Sequence, residues 1–127
     1  MTDLPHILVV DDETDMSWVL ENTLKNEGYR ITSTEHGKEG LRLAKDENFK
    51  IALIDAKLLD MDGIKLCRQI RQIAPETRVI LISGYLYQGD KVVQEGLKDC
   101  VFAAFIGKPF DIDELRMVVK EALRDNP

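Results

Sequence analysis

Apolar runs of strand length recur along the chain at residues 6–10, 29–33, 51–54, 79–82 and 102–106. They are continuous rather than alternating, the pattern of strands covered on both faces. Between them, apolar residues return at helical spacing. Met16, Val19, Leu20, Thr23 and Leu24 share one face of a first helix, and Leu115, Val118, Val119, Ala122 and Leu123 share one face of a last. Shorter helical patterns fit residues 37–46, 64–73 and 91–98. Gly28 stands where the first helix needs a left-handed stop, and Asp111 with Glu114 opens the last helix. Strand and helix alternate five times. That order predicts an α/β fold, a doubly wound parallel sheet with right-handed crossovers and helices on both faces.

In such sheets ligands bind outside the carboxyl ends of the strands. Asp11 and Asp12 follow the first strand, Asp55 ends the third, Ser83 follows the fourth and Lys108 the fifth. Three acids, a hydroxyl and an ammonium therefore converge on one edge. Clustered carboxylates repel one another, and burial makes this worse. A hard divalent cation such as Mg2+, which binds a few carboxylates and keeps waters, relieves it. Asp11 and Asp12 then form one side of a metal site. Asp55 becomes a carboxylate nucleophile for phosphoryl transfer, with Lys108 and Ser83 holding phosphoryl oxygens. A plainer reading makes Asp12 a helix cap and Ser83 a strand terminus.

The whole-chain figures narrow the field. The 127 residues fit one domain, residues 1–127, with 44% hydrophobic and 31% charged residues, an ordinary globular balance. A net charge of −6 speaks against a nucleic-acid surface. No apolar run approaches the roughly 20 residues that span a membrane. The start, MTDLPHILVV, lacks the basic region of a signal peptide. Cys67 and Cys100 stand far apart in no metal-like spacing, reading as reduced thiols of a cytoplasmic protein, with Cys67 in the core. His6 and His36 have no clustered partners and read as surface or strand-edge residues. Gly107-Lys108 is not a P-loop, because the upstream glycine and the following Ser/Thr are absent.

Four motifs occur in order: Val9-Val10-Asp11-Asp12-Glu13; Ile54-Asp55 through Asp60-Met61-Asp62-Gly63; Ile82-Ser83-Gly84; and Lys108-Pro109-Phe110. With them the chain resembles, over essentially its whole length, the receiver domain of bacterial two-component response regulators. The resemblance implies a flavodoxin-like (βα)5 fold of strand order 2-1-3-4-5. It implies that Asp55 accepts a phosphoryl group from a sensor histidine kinase or a phosphotransfer protein. Mg2+ (or Mn2+) would be ligated by Asp12, Asp55 and the backbone carbonyl of Lys57, with Asp11 acting through water. Lys108 would pair with the phosphoryl group. Ser83 and Phe105 would switch the face formed by helix four, strand five and helix five, for an effector domain or self-dimer. Lys57 and Tyr85 would flank the path of the water that hydrolyses the phosphoryl group and so tune its decay. Kinase docking would fall on helix one and the loop after strand five. There Thr14, Trp18 and Asn22 form an exposed i, i+4, i+8 row and Pro109 follows Lys108. Such a module is a phosphoacceptor and not an enzyme, with only self-catalysed transfer and autodephosphorylation.

Two departures from the family pattern stand out. Leu59 occupies a position that usually holds proline, and Val101-Phe102 replaces Gly-Ala before strand five. Three other functions are weighed beside the leading one. A flavodoxin-like cofactor binder needs a Ser/Thr/Gly-rich loop after strand one, where Asp11-Asp12-Glu13 would repel a phosphate. An aspartyl phosphatase puts its two acids two residues apart after strand one, whereas Asp11 and Asp12 are adjacent. A degenerate receiver, acting only as a binding surface, would have lost part of the site. The last helix is expected to end near Arg124, with Asp125-Asn126-Pro127 as its stop. The chain is then a stand-alone regulator or part of one with an effector domain.

Overall fold

Side chains on successive strand residues point to opposite faces, so a central parallel strand must find two separate apolar layers. A computed structural model describes residues 4–124, and it divides the core in this way. The order is β1 His6–Val10, α1 Thr14–Asn26, β2 Arg30–Thr34, α2 Gly37–Asp46, β3 Ile51–Asp55, α3 Gly63–Ile73, β4 Arg78–Ser83, α4 Lys91–Lys98, β5 Ala104–Gly107 and α5 Ile112–Arg124. The five strands form one sheet of order β2-β1-β3-β4-β5, and every pairing is parallel. Leu8, Val10, Ala52, Ile54, Val79 and Leu81 pack under α2, α3 and α4. Ile7, Val9, Ile51, Leu53, Ile80, Ile82 and Ile106 pack under α1 and α5 through Leu20, Leu24, Leu115 and Val119. Among the described residues, no helix is long and apolar enough to cross a membrane.

The expected elements are all present, with β4 one residue longer at each end and two strands displaced. β2 runs one residue later than the hydrophobic run, and β5 begins at Ala104 instead of Phe102. Phe102 is apolar because its ring is buried, 1% exposed, and not because it is a strand residue. The ring lies over Gly96 of α4, where a β-carbon would meet it at 2.3 Å. Just before it, α4 ends in a Schellman turn: Val101 N–H donates to Gly96 O (2.8 Å) and Cys100 N–H to Leu97 O (3.2 Å). Cys100 takes the left-handed position, φ 59°, that glycine usually fills. Its carbonyl accepts from Arg71 of α3. The substitution of Gly-Ala by Val101-Phe102 thus leaves the end of α4 well defined.

His6, expected at the surface or a strand edge, is the first residue of β1 and is partly buried, with Nε2 2.7 Å from Thr32 Oγ1 and its ring 4.4 Å from that of Phe49. Cys67 is buried as expected and Cys100 is exposed. Asp111 precedes α5 with its carbonyl accepting from Leu115 N–H (3.1 Å), as an N-cap residue does. The expected stop at Asp125-Asn126-Pro127 lies outside the described residues.

Candidate functional site

Strand register brings the candidate residues together. Val10 pairs with Ile54, so Asp11 comes level with Asp55. Asp55 pairs with Ile82, which sets Ser83 one step beyond, and Ser83 pairs with Gly107, which sets Lys108 one step further. The ladder extends past the strands through Asp11 N–H to Thr34 O (3.1 Å), Ala56 N–H to Ile82 O (2.8 Å) and Lys108 N–H to Ser83 O (2.7 Å). These backbone bonds hold the four positions on one rigid edge.

Asp11 and Asp55 are buried, and each splits its oxygens between two tasks. Oδ1 accepts a backbone N–H two residues on, from Glu13 (2.9 Å) and Lys57 (3.1 Å) respectively. Oδ2 accepts from Lys108 Nζ, at 3.3 Å for Asp11 and 3.1 Å for Asp55. Lys108 also donates to Glu13 Oε1 at 2.8 Å. Burial pushes the Asp11 carboxyl up to about 6, against the Glu13 N–H and the Lys108 charge, with Asp55 adding to the rise. Burial alone would lower the Lys108 ammonium. Its bond to Glu13 and the charges of Asp11 and Asp55 outweigh that, and it lies above the ordinary lysine value. One oxygen from each of Asp11, Asp12 and Asp55 lies within 4.8 Å of the others. The plainer reading of Asp12 does not hold, because Glu13 occupies the N-cap position of α1 and no side chain caps that helix.

Ser83 is fully buried, and its Oγ accepts from Tyr85 N–H (3.1 Å) and Leu86 N–H (2.9 Å). It therefore shapes the turn after β4 and does more than end the strand. Lys57 and Tyr85 are both exposed and line one cleft of about 330 Å³ with Asp12, Asp55 and Lys108. Burial, then the charges of Asp62 and Asp55, raise the Tyr85 hydroxyl above its ordinary value. Phe105 is partly buried in β5 opposite Leu81 and lines a second cleft of about 330 Å³ with Leu86, Tyr87 and Lys108. Thr14, Trp18 and Asn22 are all exposed along α1, and Asn22 Nδ2 donates to Trp18 O (2.8 Å). Pro109 is exposed and joined to Lys108 by a cis peptide bond.

The loop after Asp55 folds back on its own strand. Gly63 N–H donates to Ala56 O (2.9 Å), and a β-carbon at Gly63 would lie 2.0 Å from the carbonyl oxygen of Asp55. Asp62 caps α3, accepting from Ile64 N–H at 2.9 Å. Asp60 reaches the other way. Its two oxygens accept from Gly37 N–H (2.8 Å) and Lys38 N–H (3.1 Å) at the start of α2. Leu59, in the place of the usual proline, is 87% exposed. Glu13, Asp60 and Asp62 stand inside the quoted motifs but had no role assigned from sequence. Glu13 adjoins the acid pair, so its position offered a signal. Asp60 stands in the second motif, but its contact with α2 left no local signal, because its partners lie 22 and 23 residues away.

A doubly wound five-stranded sheet with an acid cluster and a lysine at the carboxyl ends of its strands defines a flavodoxin-like α/β protein. The chain belongs to the response regulator receiver domain family, whose pattern it matches over residues 7–120. It is 36% identical over 121 residues to the uncharacterized transcriptional regulatory protein YkoG of Bacillus subtilis, covering 95% of this chain and 52% of that protein. It is 33% identical to the regulatory protein AtoC of Escherichia coli K12, covering 98% of this chain and 26% of that protein. The chain thus spans about half or less of these curated relatives. A receiver domain protein from Methanospirillum hungatei superposes with a TM-score of 0.89 at 30% identity, covering 97% of this chain and 96% of that one. The response regulator TrrA of Thermotoga maritima, solved in complex with Mg2+ and BeF, superposes with a TM-score of 0.83 at 28% identity over 94% of this chain and all of that one.

Proposed function

We propose that this receiver domain takes a phosphoryl group onto Asp55 from a sensor histidine kinase or a phosphotransfer protein. The observation that carries this reading is the pairing of buried Asp55 with Lys108 within a cluster of three carboxylates, Asp11, Asp12 and Asp55. A carboxylate oxygen of Asp55 attacks the phosphorus of a phosphohistidine, the N–P bond breaks, and an acyl phosphate and a free imidazole result. Asp11, Asp12, Asp55 and the Lys57 carbonyl would hold Mg2+ (or Mn2+), which would supply positive charge for the transfer. Lys108 moves its ammonium from Asp55 to a phosphoryl oxygen. Ser83 turns its hydroxyl toward another, and Phe105 follows, changing the face of α4, β5 and α5 that an effector domain or second copy reads. Lys57 and Tyr85 restrict water at the cleft mouth, while Thr14, Trp18, Asn22 and Pro109 meet the kinase. The domain works in the cytoplasm as a phosphoacceptor, catalysing only its own gain and loss of phosphoryl.

The test is incubation with acetyl phosphate and Mg2+, followed by intact mass. Wild type gains a labile phosphoryl group, and folded Asp55→Asn gains none. A variant labelled as fast as wild type removes Asp55 as the acceptor. An unlabelled wild type removes the function.

A further inference from the structure

The loop after Asp55 carries Lys57, and its position bears directly on the acceptor. It lacks the usual proline, and Leu59 in that place projects into solvent, 87% exposed. The loop is nevertheless anchored at both ends. On the near side, Lys57 and Asp62 form an isolated bridge, and Gly63 lies against the Asp55 backbone. On the far side, the Asp60 carboxylate spans Gly37 N–H and Lys38 N–H of α2. Helix α2 has no cap of its own: His36, in extended N-cap geometry (φ −115°, ψ 134°), makes no side-chain cap bond. Asp60 therefore supplies from a distance what a local residue ordinarily supplies. Met61 and Leu58 extend the same contact, for a β-carbon on Gly37 would meet Met61 Cγ at 2.5 Å and Leu58 Cδ1 at 3.2 Å.

We propose that Asp60 is a positioning residue for the acceptor site: by bridging to the start of α2 it fixes the loop that presents Lys57 to the metal, in place of the missing proline. The inference rests on the phosphoacceptor reading above. Ligand groups held by a supporting shell lose metal affinity when that shell is cut, even though the ligands themselves remain. Loss of Asp60 therefore weakens Mg2+ binding while leaving every proposed ligand in the chain.

Two roles for Asp60 must be separated: tethering the loop, and stabilising α2. Asp60→Ala removes both. Adding His36→Asp returns a cap to α2 without returning the tether. Wild type and the two variants are compared at a temperature where circular dichroism finds all three folded. Mg2+ binding is read by calorimetry with MgCl2 alone, and labelling by acetyl phosphate is followed across Mg2+ concentrations. In Asp60→Ala the Mg2+ affinity and half-saturation weaken by about tenfold, while the rate at saturating Mg2+ changes much less. The double variant keeps that defect. Unchanged Mg2+ affinity in Asp60→Ala overturns the proposal. So does recovery in the double variant, which would make Asp60 a cap for α2 and nothing more. A wild type that binds no Mg2+ strikes instead at the phosphoacceptor reading.

Discussion

Lys108 lies closer to Glu13 than to Asp55, 2.8 Å against 3.1 Å, although Asp55 is buried and Glu13 is not. An ammonium has three donors, and Lys108 commits them to three carboxylates, Asp11, Glu13 and Asp55. The two kinds of bond differ in worth. The Glu13 side chain is 62% exposed, and water competes for it. Asp11 and Asp55 have little water to fall back on.

Removing one partner at a time should therefore have unequal effects in chelator. Glu13→Gln should change unfolding stability by less than about 0.5 kcal/mol. Lys108→Met should cost about 1–3 kcal/mol by stranding two buried carboxylates, and divalent cation should restore part of it. Urea unfolding with and without Mg2+ measures both. Equal losses would contradict the burial difference.

Trp18 is 65% exposed on α1 beside Thr14 and Asn22. Trp18→Ala should leave thermal stability nearly unchanged. It should slow transfer from the cognate kinase severalfold while labelling by acetyl phosphate proceeds at the wild-type rate, since aromatic anchors dominate interfaces. Equal slowing with both donors would assign Trp18 to the fold.

Lys57 and Tyr85 line the cleft that opens on Asp55. Replacing both, as Lys57→Asn with Tyr85→Ala, should shorten the life of the phosphorylated form at fixed Mg2+ and pH. Loss of label over time measures it. Indistinguishable decay curves would remove these two side chains from any control of water.

Cys100 holds a left-handed backbone at φ 59°, which costs a non-glycine residue about 1–2 kcal/mol. Cys100→Gly removes that strain and gives back part of the gain in chain entropy. A net stabilisation of about 0.5–1 kcal/mol should appear as a higher urea midpoint at constant slope. In wild type, native-state alkylation should label exposed Cys100 and spare Cys67, whose burial raises its thiol far above the reactive range.

The His6 imidazole is shifted toward its neutral form. Burial first, then the charge of Arg30, lower it from 6.5, with Glu47 pulling the other way. Below pH 6.5 the unfolded chain then binds the proton more readily than the folded one, so stability falls as pH falls through and below that value. Comparing denaturant midpoints above and below it in wild type and His6→Gln should give a smaller acid loss in the variant. A larger loss would reverse the sign of the shift.

The parts of the molecule governed by period and punctuation were readable in advance: five strands, five helices, and the acids, hydroxyl and lysine at strand ends. The parallel register then needed only the rule that sites gather there. What the chain hid is long-range. Phe102 looked like the first residue of a strand because burial against Gly96 and burial in a sheet select the same side chain. His6 looked solitary because Thr32 and Phe49 arrive from distant segments. Asp60 carried no local mark because capping usually runs within three residues, whereas here it runs between loops.

The approach of Gly63 to the Asp55 carbonyl has an evolutionary side. With a β-carbon there only 2.0 Å from backbone, any substitution at 63 is filtered by whether the chain can fold before its chemistry is ever tried. Asp55 is the reverse case, since Asn has nearly the same shape and loses only the negative charge. Two positions eight residues apart are thus answerable to different pressures: Gly63 to folding first, and Asp55 to its pairing with Lys108 and, on the phosphoacceptor reading, to signalling. On the phosphoacceptor reading, a lineage that stopped using the phosphoryl group would let the aspartate drift while the glycine stayed.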